Sequence, residues 1–135
     1  TTIGDAFCMC RRATEALFGY FLCEEYVDLI NKVTGAGYDL PELTRMSERI
    51  YTVERMFNVR EGFDKSDDTL PVRFLEEPVP EGPNKGAVVK PEELDAMLDE
   101  YYSVRGWDRE RGWPTTSSLR GLGLGWMEAD VPCLG

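Results

Sequence analysis

The stretch "DLPELTRMSERIYTVERMFNVREGF" limits this chain more than any other, because it can satisfy its own backbone only as a long helix. Asp39 stands where a side-chain oxygen caps free amides, Pro41 falls in the first turn, and Glu42 follows the cap by three residues. Leu43, Met46, Ile50, Val53 and Phe57 then form an apolar stripe, with Glu42, Arg45, Glu48, Arg49, Glu54 and Arg55 around it. A domain built around such a rod needs other helices to cover the stripe. Residues from about Arg12 to Thr34 supply one: Phe18, Leu22, Tyr26, Leu29 and Val33 recur at helical steps, and Gly35 provides the stop. Pro91 opens a further helix carrying Leu94, Met97, Leu98, Tyr101 and Val104 and ending at Gly106. A short last helix fits "PTTSSLRGLGL", capped by Thr115 or Thr116.

Between them, from Phe63 to Lys90, the pattern dissolves into "DKSDDTLPVRFLEEPVPEGPNKGAVV", with four prolines and two glycines. Its scattered hydrophobic residues predict an ordered irregular arm, with short extended pieces at Val72 to Leu75 and Ala87 to Val89. The expected architecture is mainly α: a single irregular helical domain over residues 1–135, with a long Pro/Gly-rich ordered arm.

Charge and composition remove whole function classes. The chain has 15 basic against 25 acidic residues, a formal charge of −10 that repels phosphate backbones and anionic membranes, so no nucleic-acid or membrane partner is expected. The longest apolar run, Ala16 to Cys23, is too short to span a bilayer, and no signal-peptide pattern opens the chain, so the expected location is cytoplasmic. There is no histidine, which excludes Ser-His-Asp triads, Cys-His dyads and imidazole metal sites within these residues. The first methionine is Met9, which marks the sequence as an expected fragment of something longer.

Four cysteines remain, at 8, 10, 23 and 133, in a spacing unlike a stapled secreted scaffold. Cys8 and Cys10 flank an expected helix start, where aligned amides favour a thiolate, the form that attacks and binds metal. Arg11 and Arg12 act in the same direction. A closed zinc or iron–sulfur site needs four ligands and one Cys-x-Cys gives two, so ordinary buried or free thiols are the commoner explanation of such a pair. Cys23 sits among apolar neighbours and reads as core, while Cys133 has no local motif. Of the carboxylate pairs, Asp67-Asp68 opens a turn and Glu92-Glu93 occupies a helix first turn, where negative charge is favourable. Tyr101, Tyr102, Trp107 and Trp113 sit at spacings typical of core or interface aromatics. "GLGLG" lacks the strand and third glycine of a dinucleotide loop.

Taken in order, "ERIYTVERMFNVREGF", "DDTLPVRFLEEPVPEGPNKG", "LDAMLDEYYSVRGWD" and "LRGLGL" resemble the carboxy-terminal helical domain of the aldehyde ferredoxin oxidoreductase family, over Asp5 to about Leu124. The resemblance implies a tungsten or molybdenum bis-pterin enzyme with one [4Fe-4S] cluster, which oxidises aldehydes to carboxylic acids and passes the electrons to ferredoxin. In that family a segment Asp-x-x-Gly-Leu-Cys gives a carboxylate and backbone contacts to one pterin and the last cluster ligand. Here "DAFCMC" matches it, implying pterin contacts at Asp5 and near Met9 and a cluster thiolate at Cys10. Cys8 stands where the family usually has glycine, which puts the backbone turn in question and makes Cys8 a competing ligand.

The other ligands and active-site residues would lie in upstream domains of the same polypeptide, so the fragment alone is expected to be inactive, with no complete cofactor set. An apolar face left uncovered would support self-association into a homo-oligomer. Three alternatives stay open: a non-catalytic interaction module of the same fold, a related subunit acting on aromatic acyl-CoA thioesters, and a small thiolate protein using Cys8, Cys10 and Cys133.

Overall fold

A computed structural model describes residues 2–19 and 22–131. These form seven α-helices: α1 (Thr2–Ala6), α2 (Arg11–Phe18), α3 (Glu24–Thr34), α4 (Leu40–Arg60), α5 (Val72–Glu76), α6 (Pro91–Arg105) and α7 (Thr116–Gly121). Two 3-10 turns, Lys65–Asp67 and Gly125–Asp130, complete the set, and the described residues contain no strand beyond an isolated bridge between Trp107 and Pro114. The mainly helical class expected from sequence is the class observed. The chain divides into two compact units, Thr1–Glu54 and Arg55–Gly135.

In the first unit the expected cap of α4 forms as a reciprocal pair. The Glu42 amide donates to the Asp39 carboxylate at 2.7 Å, and the Asp39 amide donates to the Glu42 carboxylate at 2.9 Å. Two otherwise orphaned donors are thereby satisfied. Ahead of it, Gly35 takes the left-handed conformation (φ 70°) that closes α3. Asn31 then ties the connection back, donating to the Tyr38 carbonyl and accepting from its amide at 2.7 and 2.9 Å. Ile3, Tyr26, Val27, Ile30 and Leu43 make the buried core, with Phe7, Met9, Phe18, Leu22 and Met46 packed on it. Each fully buried aliphatic side chain contributes about 1.5–3 kcal/mol.

The helix expected over Arg12 to Thr34 is in fact two. Gly19 (φ 74°, ψ −156°) ends α2, and Cys23 starts α3 anew. The periodicity of Phe18, Leu22 and Tyr26 runs through this break because both helices face the same core. The buried stripe also shifts: Tyr26, Val27 and Ile30 are inside, while Val33 is 78% exposed. On α4, Leu43 is buried as expected, but the later buried positions are Thr52, Met56 and Val59, and Phe57 is exposed.

In the second unit α6 starts at Pro91 and stops at Gly106 (φ 66°), and Thr115 caps α7 by accepting from the Ser118 amide, all as the sequence indicates. Its inward residue is Tyr102, whereas Met97 and Val104 are exposed. Val72 to Leu75, expected as extended, instead winds into α5 directly after Pro71. The arm is ordered by backbone pairs: Val79 and Ala87 join at 2.9 Å, and the Val89 amide reaches the Phe74 carbonyl at 3.0 Å. Tyr102 and Trp107 stack in the core with centroids 6.3 Å apart, so these aromatics serve packing.

Candidate functional site

The site is the turn joining α1 to α2 and the cavity beside it, both within the first unit. After α1 the Cys8 amide donates to the Asp5 carbonyl at 3.1 Å and the Met9 amide donates to the Gly4 carbonyl at 2.8 Å. This nested pair is a Schellman closure, which needs a left-handed residue one position before its last donor. Cys8 is that residue, with φ 54°, and no other described non-glycine residue has positive φ. The turn is therefore made without glycine, at the steric cost a Cβ carries in this region. Replacing Cys8 by glycine is expected to raise stability by about 0.5–1 kcal/mol, the relief of strain exceeding the added entropy of the unfolded chain. Urea unfolding of Cys8→Gly checks this, and a loss would mean that the thiol makes an offsetting contact.

The turn delivers Cys10 to the position just before α2. Its backbone is extended (φ −66°, ψ 117°), its carbonyl accepts from the Thr14 amide at 3.0 Å, and its side chain makes no capping bond. Cys8 and Cys10 are both exposed free thiols. Asp5 is exposed on α1, while Met9 is half-buried against the core, with its amide already committed to Gly4. Cys23 is half-buried at the start of α3, where the Glu25 backbone amide first, and the Cys23 thiol second, bond to the Glu25 carboxylate and hold it below its usual pKa. Cys133 lies outside the described residues. Among the described residues no three His, Cys, Asp or Glu side chains gather as a metal site.

Beside the turn lies a cavity of about 250 Å³, lined by Gly4, Asp5, Arg11, Phe18 and Tyr26 among others. Arg11 pairs with Glu15 at 2.5 Å, and Phe18 stacks on Tyr26 with centroids 5.2 Å apart. Tyr26 is 7% exposed and its hydroxyl is buried with no hydrogen-bond partner among the described residues. Burial first, and the nearby Asp5 charge second, raise the Tyr26 pKa, so the phenol is a neutral donor. A Cβ at Gly4 would lie 3.0 Å from that hydroxyl oxygen, so the absence of a side chain there leaves the phenol its space. In the sequence Tyr26 falls on an apolar stripe and nothing marks Gly4. Only the three-dimensional neighbourhood reveals an unpaired hydroxyl.

A family model described as "Aldehyde ferredoxin oxidoreductase, domains 2 & 3" matches residues 1–124. A tungsten-containing aldehyde ferredoxin oxidoreductase of Pyrococcus horikoshii is 41% identical over 92% of this chain and 19% of its own length. One from Pyrococcus furiosus is 44% identical over 75% of this chain and 16% of its own. A solved structure, the active-site complex BamBC of benzoyl-coenzyme A reductase with 1,5-dienoyl-CoA, superposes with TM-score 0.73 at 26% identity, over 99% of this chain and 20% of that one. The chain thus spans about a fifth of the length of the curated relatives it matches. No helix among the described residues is long and apolar enough to cross a membrane.

Proposed function

This chain belongs to the aldehyde ferredoxin oxidoreductase family, and we propose that it forms part of a tungsten- or molybdenum-pterin enzyme that oxidises aldehydes to carboxylic acids. In this reading Asp5 and the Met9 backbone contact one pterin, and Cys10 ligates a [4Fe-4S] cluster. The observation that carries it is the nested turn, which fixes a carboxylate on the cavity wall and an exposed thiol only five residues apart. The unpaired Tyr26 hydroxyl and the bare Gly4 beside Asp5 fit a polar ring edge in that cavity. The exposed Cys10 thiol before α2 fits a thiolate ligand.

When bound, the metal–pterin group supplies the two-electron acceptor for aldehyde plus water going to carboxylic acid and two protons, and the cluster relays the electrons towards ferredoxin. The chain's own residues bind and orient. The Asp5 carboxylate accepts hydrogen bonds from ring-edge N–H groups. Because the Met9 amide is taken by Gly4, Met9 offers its carbonyl. The free amides of the first turn of α2 and the cations Arg11 and Arg12 favour negative charge near Cys10. The other cluster ligands, and the residues that handle the aldehyde, come from protein outside these 135 residues.

A second reading, reduction of an aromatic acyl-CoA thioester, is favoured by the benzoyl-coenzyme A reductase likeness over nearly the whole chain.

The test places this chain in the Pyrococcus horikoshii relative, in exchange for the segment it matches, and measures iron, sulfide and visible absorbance after anaerobic reconstitution. About four irons and four sulfides per chain are expected, lost in Cys10→Ala and retained in Cys8→Ala. A cluster lost only in Cys8→Ala would move the ligand to Cys8. A cluster indifferent to both would remove the metal role and favour an interaction module. Aldehyde-dependent reduction of ferredoxin by the loaded chimera separates the first reading from the acyl-CoA one.

A further inference from the structure

A buried hydroxyl without a partner is destabilising and uncommon in native proteins, and it calls for something that satisfies it. Tyr26 is such a case. Its hydroxyl is sealed from water against Gly4, and Tyr26 is among the residues lining a cavity together with Asp5. Phe18, stacked on the phenol ring, gives the same cavity a flat apolar face. A carboxylate, a neutral phenol donor and an aromatic face together suit a planar heterocycle that has N–H donors on one edge and a ring or carbonyl acceptor close by.

We propose that Tyr26 is a direct pterin-contact residue: its hydroxyl donates to a ring acceptor of a pterin seated in the cavity, while Asp5 accepts from the amino edge. Ligand entry opens the contact between the hydroxyl and Gly4, and the orphan donor gains its partner. The Tyr26 assignment rests on the pterin reading of Asp5. It goes beyond that reading by giving the unpaired phenol a task and by identifying Gly4 as the residue that leaves room for it.

The experiment titrates the purified chain with 6-hydroxymethylpterin, following ligand fluorescence and the shift of a ring-carbon-labelled tyrosine signal. Lumazine, which carries an oxo group in place of the 2-amino group, is the comparison ligand, and thermal unfolding of each ligand-free variant is recorded alongside. Saturable pterin binding that exceeds lumazine binding is expected. Tyr26→Phe should weaken it about tenfold, the loss of one buried hydrogen bond. The same variant should unfold no earlier than the parent, because it removes an unpaired hydroxyl. Gly4→Ala, which presses on that hydroxyl, should weaken binding as well.

Binding unchanged in Tyr26→Phe but weakened in Asp5→Asn would overturn the Tyr26 assignment, leave the Asp5 reading standing, and point to a water molecule as the hydroxyl's partner. A lowered unfolding temperature in Tyr26→Phe would overturn it too, by showing a structural role. Absence of pterin binding to the parent chain would overturn both pterin assignments, while the Cys10 reading is tested separately by the iron and sulfide analysis.

Discussion

Gly112→Ala is expected to lower stability by about 3 kcal/mol, with a fall in Tm of roughly 10 °C. Gly112 lies in the loop between Trp107 and Pro114, with φ 66°. Its amide donates to the Asp108 carbonyl at 2.8 Å, and its carbonyl accepts from Arg55 Nε at 2.9 Å. A Cβ here would sit 2.6 Å from Arg55 Nη2 and 2.8 Å from Tyr102 Cζ, separations that real Cβ atoms essentially never show. Neither neighbour can yield easily, since Arg55 is held by Asp68 and Tyr102 is 1% exposed. Gly106 provides the internal comparison. It has the same φ of 66°, but its Cβ would meet the Ser118 side chain at ordinary contact, with Cβ at 3.6 Å and Oγ at 3.9 Å. Gly106→Ala should therefore cost only the left-handed conformation, about 1 kcal/mol. The difference between the two variants, read by urea unfolding, isolates the clash, and equal losses would show that the Arg55 and Tyr102 side chains move aside.

The contrast between those glycines shows what a sequence can and cannot disclose. Helix ends were legible wherever the chemistry is local. Asp39 with Glu42, Pro91, Gly35, Gly106 and Thr115 each act within a few residues, and each does so in the structure. Positions that depend on what packs opposite were not legible. Apolar periodicity marked a helix through Gly19 because α2 and α3 share one core, and it marked Val33, Phe57 and Val104, which face outward. The piece after Pro71 has too few residues for any periodicity to separate a helical turn from an extended segment.

At the candidate site the family motif identified Asp5, Met9 and Cys10 as positions of interest, and it flagged Cys8 as the departure. That a cysteine nonetheless adopts the left-handed turn is a fact of three-dimensional closure, visible only once the amides of Cys8 and Met9 have found their carbonyls. Tyr26 illustrates the same limit, since the stripe that announces its ring says nothing about its hydroxyl.

Asp68→Ala is expected to cost about 3–5 kcal/mol, the largest single loss that removing one side chain's interactions should produce here. In the sequence Asp68 opens a turn, yet in the fold it joins residues 13 and 34 positions away. Arg55 grips it with two parallel bonds, Nη1 to Oδ1 at 2.8 Å and Nη2 to Oδ2 at 2.5 Å, and the Tyr102 hydroxyl donates to Oδ2 at 2.5 Å. Side-chain exposure is only 10% for Arg55 and 25% for Asp68, so solvent screens the pair poorly. Deleting the carboxylate leaves a buried guanidinium without its counter-charge and a buried phenol without its acceptor. Both penalties are those of unmade interactions rather than of lost attraction. The pair itself is a different quantity, because bringing two charges out of water offsets much of what their attraction returns. The double variant Arg55→Met, Asp68→Leu should accordingly recover a large part of the loss, although it also gives up the Arg55 bond to the Gly112 carbonyl. Exposed pairs such as Lys32 with Asp28 set the scale for the opposite result, at about 0.5 kcal/mol or less. A cost of that size for Asp68→Ala would mean that water reaches Arg55 as soon as the carboxylate is gone, and that the second unit is held by its aromatic packing and not by this network.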